Sequence, residues 1–188
     1  MSQEEEVETL SQTLEKDLGT PKALVNNAGI LDLQTRVDGM NAKRIQRIFA
    51  VNVTGSFLYA REAVKRMSKK YGGKGGSIVN LSSGAAKYGS PGEYVDYAAS
   101  KAAIDTLTIG LAKEVAEEGI RVNAVRPGFI DTEIHQSGGE PDRMERVRPL
   151  VPMKRVGQAE EVADAIMWLL SDKASYTTGT ILDVSGGR

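Results

Sequence analysis

Cysteine is absent from the 188 residues and histidine occurs once. The first absence excludes disulfides, thiol catalysis and zinc-thiolate sites; the second excludes a site built on several histidines, so no metal site is expected. Aromatic residues make up only 5% of the chain, and neither charge sign is in excess, with 24 basic against 25 acidic side chains. A net charge of −1 leaves no electrostatic footprint for nucleic acid or for an anionic membrane, and neither is an expected partner. Apolar runs long enough to span a bilayer, about 20 residues, are also missing. The start, Met1-Ser2-Gln3-Glu4-Glu5-Glu6, is acidic where a secretory leader is basic, so a cytoplasmic location is expected. Chemistry must therefore rest on hydroxyls, carboxylates, amines or a cofactor.

What is present centres on the stretch from Gly75 to Lys101. Ser77-Ile78-Val79-Asn80-Leu81 is short, apolar, rich in β-branched residues and preceded by glycines, the pattern of a buried parallel strand, and it ends in Ser82 and Ser83. Pro91 and Glu93 suit the opening of a helix on which Tyr97 and Lys101, four apart, share one face. An ammonium within about 4–6 Å of a phenol favours the phenolate, so Lys101 is expected to pull Tyr97 from about 10 toward the working range of an acid or base. Ser83, last on the expected strand, is placed to bind a carbonyl or carbinol oxygen whose charge changes during reaction. Taken alone, a Tyr-x-x-x-Lys pair is what any helix with a snorkelling lysine supplies; the surrounding pattern gives it meaning.

An amphipathic helix is expected over the first 18 residues, with Val7, Leu10, Leu14 and Leu18 on its apolar face and Gly19 and Pro21 as its stop. Ala23-Leu24-Val25 reads as a short strand that runs into Asn26-Asn27-Ala28-Gly29, where small and amide side chains let a ligand approach the backbone. A helical pattern follows from Asn41 to Met67, interrupted at Val51-Asn52-Val53-Thr54-Gly55 by poor helix formers that predict a kink. Tyr71 to Gly76 is glycine-rich but precedes a strand, whereas a phosphate-binding turn follows one, so it reads as a linker. The Tyr97 helix runs to a stop at Gly119, Ile120 to Val125 is the next strand, and Arg126-Pro127-Gly128-Phe129-Ile130-Asp131-Thr132 leads away from it. Residues 133–152 are polar, with His135 and the Gly138-Gly139 pair, and read as a long loop. A last helix is expected from Ala159 to Ser171 and a last strand within Gly179 to Gly187.

The strand ending in serine, Tyr97-x-x-x-Lys101, Asn26-Asn27-Ala28-Gly29 and Pro127-Gly128 together resemble the classical short-chain dehydrogenase/reductase family, with a serine-to-tyrosine spacing one residue longer than usual. The resemblance covers nearly everything from Ala23 onward. It implies an α/β fold, here the carboxyl-terminal part of a doubly wound Rossmann-type parallel sheet of about four strands with flanking helices, forming one domain over residues 1–188. It also implies an NAD(P)-dependent oxidoreductase acting on a small-molecule alcohol or ketone. Asn52, Ser83, Tyr97 and Lys101 are its implied catalytic residues; Asn26, Ala28, Gly29, Tyr97, Lys101, Pro127, Gly128 and Thr132 are its implied cofactor contacts. Asn52 would anchor a proton relay and residues 133–152 would be the substrate lid. Family members pair through the helices at residues 55–70 and 97–118, so a homodimer or homotetramer is implied.

No Gly-x-x-x-Gly-x-Gly or Gly-x-Gly-x-x-Gly follows a strand in this sequence. A dinucleotide-binding half needs that turn and the helix it opens to hold the pyrophosphate. Three strands and two helices, roughly 60–80 residues by the size of βαβ units, are therefore expected to be absent, and binding of NAD or NADP by these residues alone is expected to be weak or lost. A catalytically silent form acting as an oligomerising or binding module is the alternative reading. The residues that choose between NAD and NADP, and any that name the substrate, are not legible.

Overall fold

Residues 3–132, 140 and 143–188 are described by a computed structural model. Its centre is a sheet of four parallel strands in sequence order: β1 (Ala23–Asn26), β2 (Gly76–Leu81), β3 (Ile120–Pro127) and β4 (Ile181–Val184). Registers such as Leu24 opposite Ile78 and Ile78 opposite Val122 align the carboxyl ends of the strands along one rim. Every neighbour is parallel, so each connection crosses a face of the sheet, and both faces are covered.

Alternation along β2 sorts the core into two halves. Ile78 joins Ala63, Met67, Ala112, Val115, Ile120 and Val122 beneath α3 (Gly55–Met67) and α5 (Val95–Val115). Val79 faces the opposite way and joins Leu81, Val125, Val162 and Leu169 beneath the helix Ala159–Leu170. That helix, α7 in chain order, opens with a capping box in which Gln158 and Glu161 exchange bonds with each other's backbone. Between β2 and α5 lies a short helix, α4 (Ala85–Tyr88), that no sequence pattern marked; the Ser83 hydroxyl accepts from the Ala85 N–H and supports it. β2 itself ends at Leu81, leaving both serines just past the strand rather than on it. A five-residue helix, α6 (Arg143–Val147), stands before α7.

Two expectations change on the first half of the chain. The predicted kink is a π-helical turn, Ala50–Thr54, joining α2 (Ala42–Phe49) to α3 without a break. The first helix, α1 (Glu4–Leu18), forms where expected, but only Val7 of its apolar set is buried; Leu10 and Leu14 are exposed and Leu18 is 82% exposed. Charge supplies much of its attachment: Arg61 of α3 pairs with Glu4 and Glu8, and Arg66 pairs with Glu15. β1, at the sheet edge, has α3 on one face while Val25 remains exposed. No helix among the described residues is long and apolar enough to cross a membrane.

Candidate active site

The carboxyl ends of the strands open into a cleft of about 1010 Å³. Parallel sheets with helices on both faces place ligand sites at this rim, because the loops leaving the strands diverge there. Ala28 and Gly29 after β1, Ser83 after β2, Tyr97 and Lys101 on α5, Pro127 at the end of β3, and Gly128 and Thr132 after it all line the cleft.

Close packing explains the glycines. A Cβ at Gly29 would lie 3.2 Å from the Lys101 Nζ and 3.6 Å from the Asn52 Oδ1, so the bare backbone lets the lysine reach the cleft. At Gly128 a Cβ would come within 2.8 Å of the Ser185 Cα, which would force apart the loops leaving β3 and β4.

Lys101 is buried, and its ammonium donates to the Leu81 carbonyl at 2.7 Å while standing 5.7 Å from the centre of the Tyr97 ring. Burial pushes Lys101 down to about 8, with the Asp105 carboxylate opposing the shift. Burial likewise pushes the Tyr97 phenol up; a hydrogen bond from Ser83 and the charge of Arg143 only partly oppose that. The expectation that Lys101 lowers Tyr97 is thus reversed here. The ammonium is turned to a carbonyl and is itself poorly solvated, so loss of water dominates both groups. The two serines divide the work: Ser82 donates to the Lys101 carbonyl and ties the strand end to α5, while Ser83 keeps its hydroxyl at the cleft.

Asn52 stands behind the cleft wall, fully buried. Its amide accepts from the Ile30 N–H at 2.8 Å and donates to the Ile30 carbonyl at 2.9 Å and to the Ser100 hydroxyl at 3.0 Å. Ser100 in turn donates to the Tyr97 carbonyl at 2.7 Å, which links the π-helical turn to the first turns of α5. Asn26, expected among the cofactor contacts, turns away from the cleft. Its amide donates to Asn80 at 2.9 Å and to the Ser56 carbonyl, and Asn80 continues to Thr108. Asn27 lines the cleft instead. Successive residues at a strand end face opposite sides, and that alternation was the signal for choosing Asn27 over Asn26.

Residues 133–139, 141 and 142 lie outside the described residues, and with them His135, Gly138, Gly139 and much of the expected lid. The described remainder brings in side chains that no motif marked. Arg143 and Arg146 of α6 line the cleft and share Glu93 and Glu140 as ion-pair partners. Tyr94, just ahead of α5, is stacked by Arg143 at 5.0 Å, and Arg188 lies between Tyr88 and Phe129 at 5.1 and 4.6 Å. Phe129, next to Gly128, also meets Arg143 at 5.8 Å. A further buried pair sits one residue from Tyr97. The Asp96 carboxylate accepts from Arg44 at 2.6 Å and from the Tyr97 N–H at 2.9 Å, pinning the start of α5 to α2.

Residues 1–188 match a family model described as Enoyl-(Acyl carrier protein) reductase. An uncharacterized oxidoreductase of Escherichia coli, YgfF, is 67% identical over 166 residues, 88% of this chain and 67% of that protein. Glucose 1-dehydrogenase 2 of Bacillus subtilis is 38% identical, covering 100% of this chain and 71% of its own length. The crystal structure of a short-chain type dehydrogenase/reductase from Mycobacterium marinum superposes with a TM-score of 0.92 at 34% identity, over 99% of this chain and 72% of that one. The chain thus spans 67–72% of the length of these relatives.

Proposed function

The chain belongs to the short-chain dehydrogenase/reductase family, and from that premise we propose that it is an NAD(P)-dependent oxidoreductase interconverting an alcohol and a carbonyl. The observation that carries the reading is the meeting of Ser83, Tyr97 and Lys101 in one cleft that Pro127, Gly128 and Thr132 also line. When bound, a nicotinamide would give or take the hydride. Ala28, Gly29, Lys101, Pro127, Gly128 and Thr132 are the residues proposed to hold the nicotinamide end, with Lys101 on its ribose; Gly29 and Gly128 suit this because neither offers a side chain in the way. The substrate oxygen sits between the Ser83 hydroxyl and the Tyr97 phenol. In reduction the phenol gives its proton to the oxygen as the carbon gains hydride; in oxidation the phenolate takes that proton as the carbon loses hydride. Lys101 offers a cation beside the ring, and Asn52, through Ser100, holds the turn that carries Tyr97.

A second reading, a catalytically silent binding or oligomerising module, is favoured by one feature: the sequence has no glycine turn between a strand and a helix for the pyrophosphate. Losing two or three charge-assisted hydrogen bonds at about 1.5–3 kcal/mol each weakens nucleotide binding by roughly two to six powers of ten. Titration of the 188-residue chain with NADH and NADPH is expected to give millimolar or weaker binding. A dissociation constant at or below tens of micromolar would overturn that expectation. Turnover separates the two readings. Over a panel of alcohols and ketones with both cofactors at saturating concentration, Tyr97→Phe is expected to lower the rate about 10²–10⁴-fold. Retention of more than a tenth of the rate would remove Tyr97 from the mechanism, and no turnover by the parent chain would favour the silent module.

A further inference from the structure

Resting on the oxidoreductase reading, we propose that the cleft selects substrates carrying an oxyanion, a carboxylate or a phosphate, and that Arg188 is the side chain that binds it, with Arg143 beside it. Charge matching around the cleft is uneven. Arg143 and Arg146 are answered by Glu93 and Glu140, which hold them in place at 2.7–3.1 Å. Among the described residues Arg188 has no such partner. Its guanidinium lies over two rings, Tyr88 and Phe129, and its buried Nη1 meets no acceptor among the described residues.

A guanidinium fixed by stacking loses little freedom when it binds a planar oxyanion, and its edge N–H groups remain free to donate. Leaving a buried N–H of an arginine without an acceptor is costly, so the arrangement fits a group that arrives from outside. Arg143 repeats the pattern: its Nε is also buried without an acceptor, and it approaches the same Phe129 ring. The position also suits the reaction. Phe129 follows Gly128 directly, and the charge of Arg143 reaches the Tyr97 phenol. An anion at Arg188 and Arg143 would therefore sit in the same cleft as the reacting oxygen, which points to short hydroxy or oxo acids, or to phosphorylated alcohols and ketones.

Matched pairs test this on the full chain. Binding of 4-oxopentanoate against its methyl ester, and of dihydroxyacetone phosphate against dihydroxyacetone, is measured by calorimetry, which does not depend on turnover. At least one anionic member is expected to bind about ten- to a hundredfold more tightly than its neutral partner, with the preference shrinking as salt is raised. The pair that shows it identifies the carboxylate or the phosphate. Arg188→Gln is expected to bring the anionic-to-neutral ratio close to one, and Arg188→Lys to keep part of it. Equal binding of charged and neutral members by the parent chain, or a ratio that survives Arg188→Gln, would overturn the proposal. The two readings fail separately: an anion preference without turnover leaves the site and removes the chemistry, whereas turnover of neutral ketones without that preference does the reverse.

Discussion

At the scale of single residues, burial decides the behaviour of the proposed catalytic pair. Lys101 is held at about 8 in the folded chain against an ordinary 10.5, so between those values the unfolded chain carries a proton that the folded one has released. Stability must then rise with pH from about 8 to 10.5. Below that window the buried ammonium is a constant burden. Lys101→Met is expected to stabilise the fold at neutral pH by about 1–3 kcal/mol and to remove the alkaline rise, while damaging turnover. Urea unfolding across pH checks this, and a mutant less stable than its parent at neutral pH would show that the Leu81 bond outweighs desolvation. Tyr97, pushed up by burial, is a phenol at neutral pH. Carbonyl reduction, which uses the phenol, should be insensitive to pH near neutrality, and alcohol oxidation, which uses the phenolate, should accelerate as pH is raised. An oxidation rate that falls on going alkaline would contradict the assignment.

At the scale of elements, the π-helical turn Ala50–Thr54 does the positioning. The extra residue in the turn presents Asn52 to the backbone of Ile30 and to Ser100, and Ser100 holds the Tyr97 carbonyl. Asn52→Ala would strand the Ile30 N–H and carbonyl in a half-buried wall and leave the buried Ser100 hydroxyl without its donor. A loss of about 2–4 kcal/mol in urea unfolding is expected, because each stranded group costs about 1–3 kcal/mol. A loss below about 0.5 kcal/mol, the range of an indifferent surface change, would mean that the network is not supporting the site. The sequence marked this turn through its poor helix formers but not its form. Asparagine, valine and glycine disfavour an α-helix in general, and only Ile30 and Ser100, 22 and 48 residues away, decide that the answer is one wide turn rather than a kink.

For the whole molecule, the open question is what covers its apolar outer faces. Phe57 on α3 and Ile109 on α5 are half-exposed on the two long helices, Leu10, Leu14 and Leu18 are exposed on α1, and Met167 and Trp168 on α7. Exposed apolar side chains grouped on a helix face are candidates for such cover. We propose that two copies pair through α3 and α5 as a homodimer, with α7 and β4 offering a second contact for a homotetramer. Sedimentation at tens of micromolar is expected to show a dimer or larger species. A clean monomer would contradict the pairing, and Phe57→Glu should shift the equilibrium toward monomer if these helices form the contact.

The sequence by itself determined the order of the strands and main helices, the parallel character of the strands and the placing of Tyr97 and Lys101 on one helix face, because each of these is local. β-Branched runs bounded by glycine, a four-residue helical spacing and a serine at a strand end are read over a few neighbouring residues. The tertiary structure alone decided which polar groups face the cleft and in what state. Asn26 and Asn27 are adjacent in sequence, yet the first is consumed by Asn80 and only the second reaches the cleft. Tyr97 and Lys101 meet as their spacing requires, but the sign of each shift comes from burial by surrounding chain. The arginines at positions 143, 146 and 188 carry no motif. They become a site only because α6 and the segment after β4 bring them to Glu93, Tyr88 and Phe129. Pairings across such separations depend on how the sheet and its helices close around the cleft, which no short window of sequence contains.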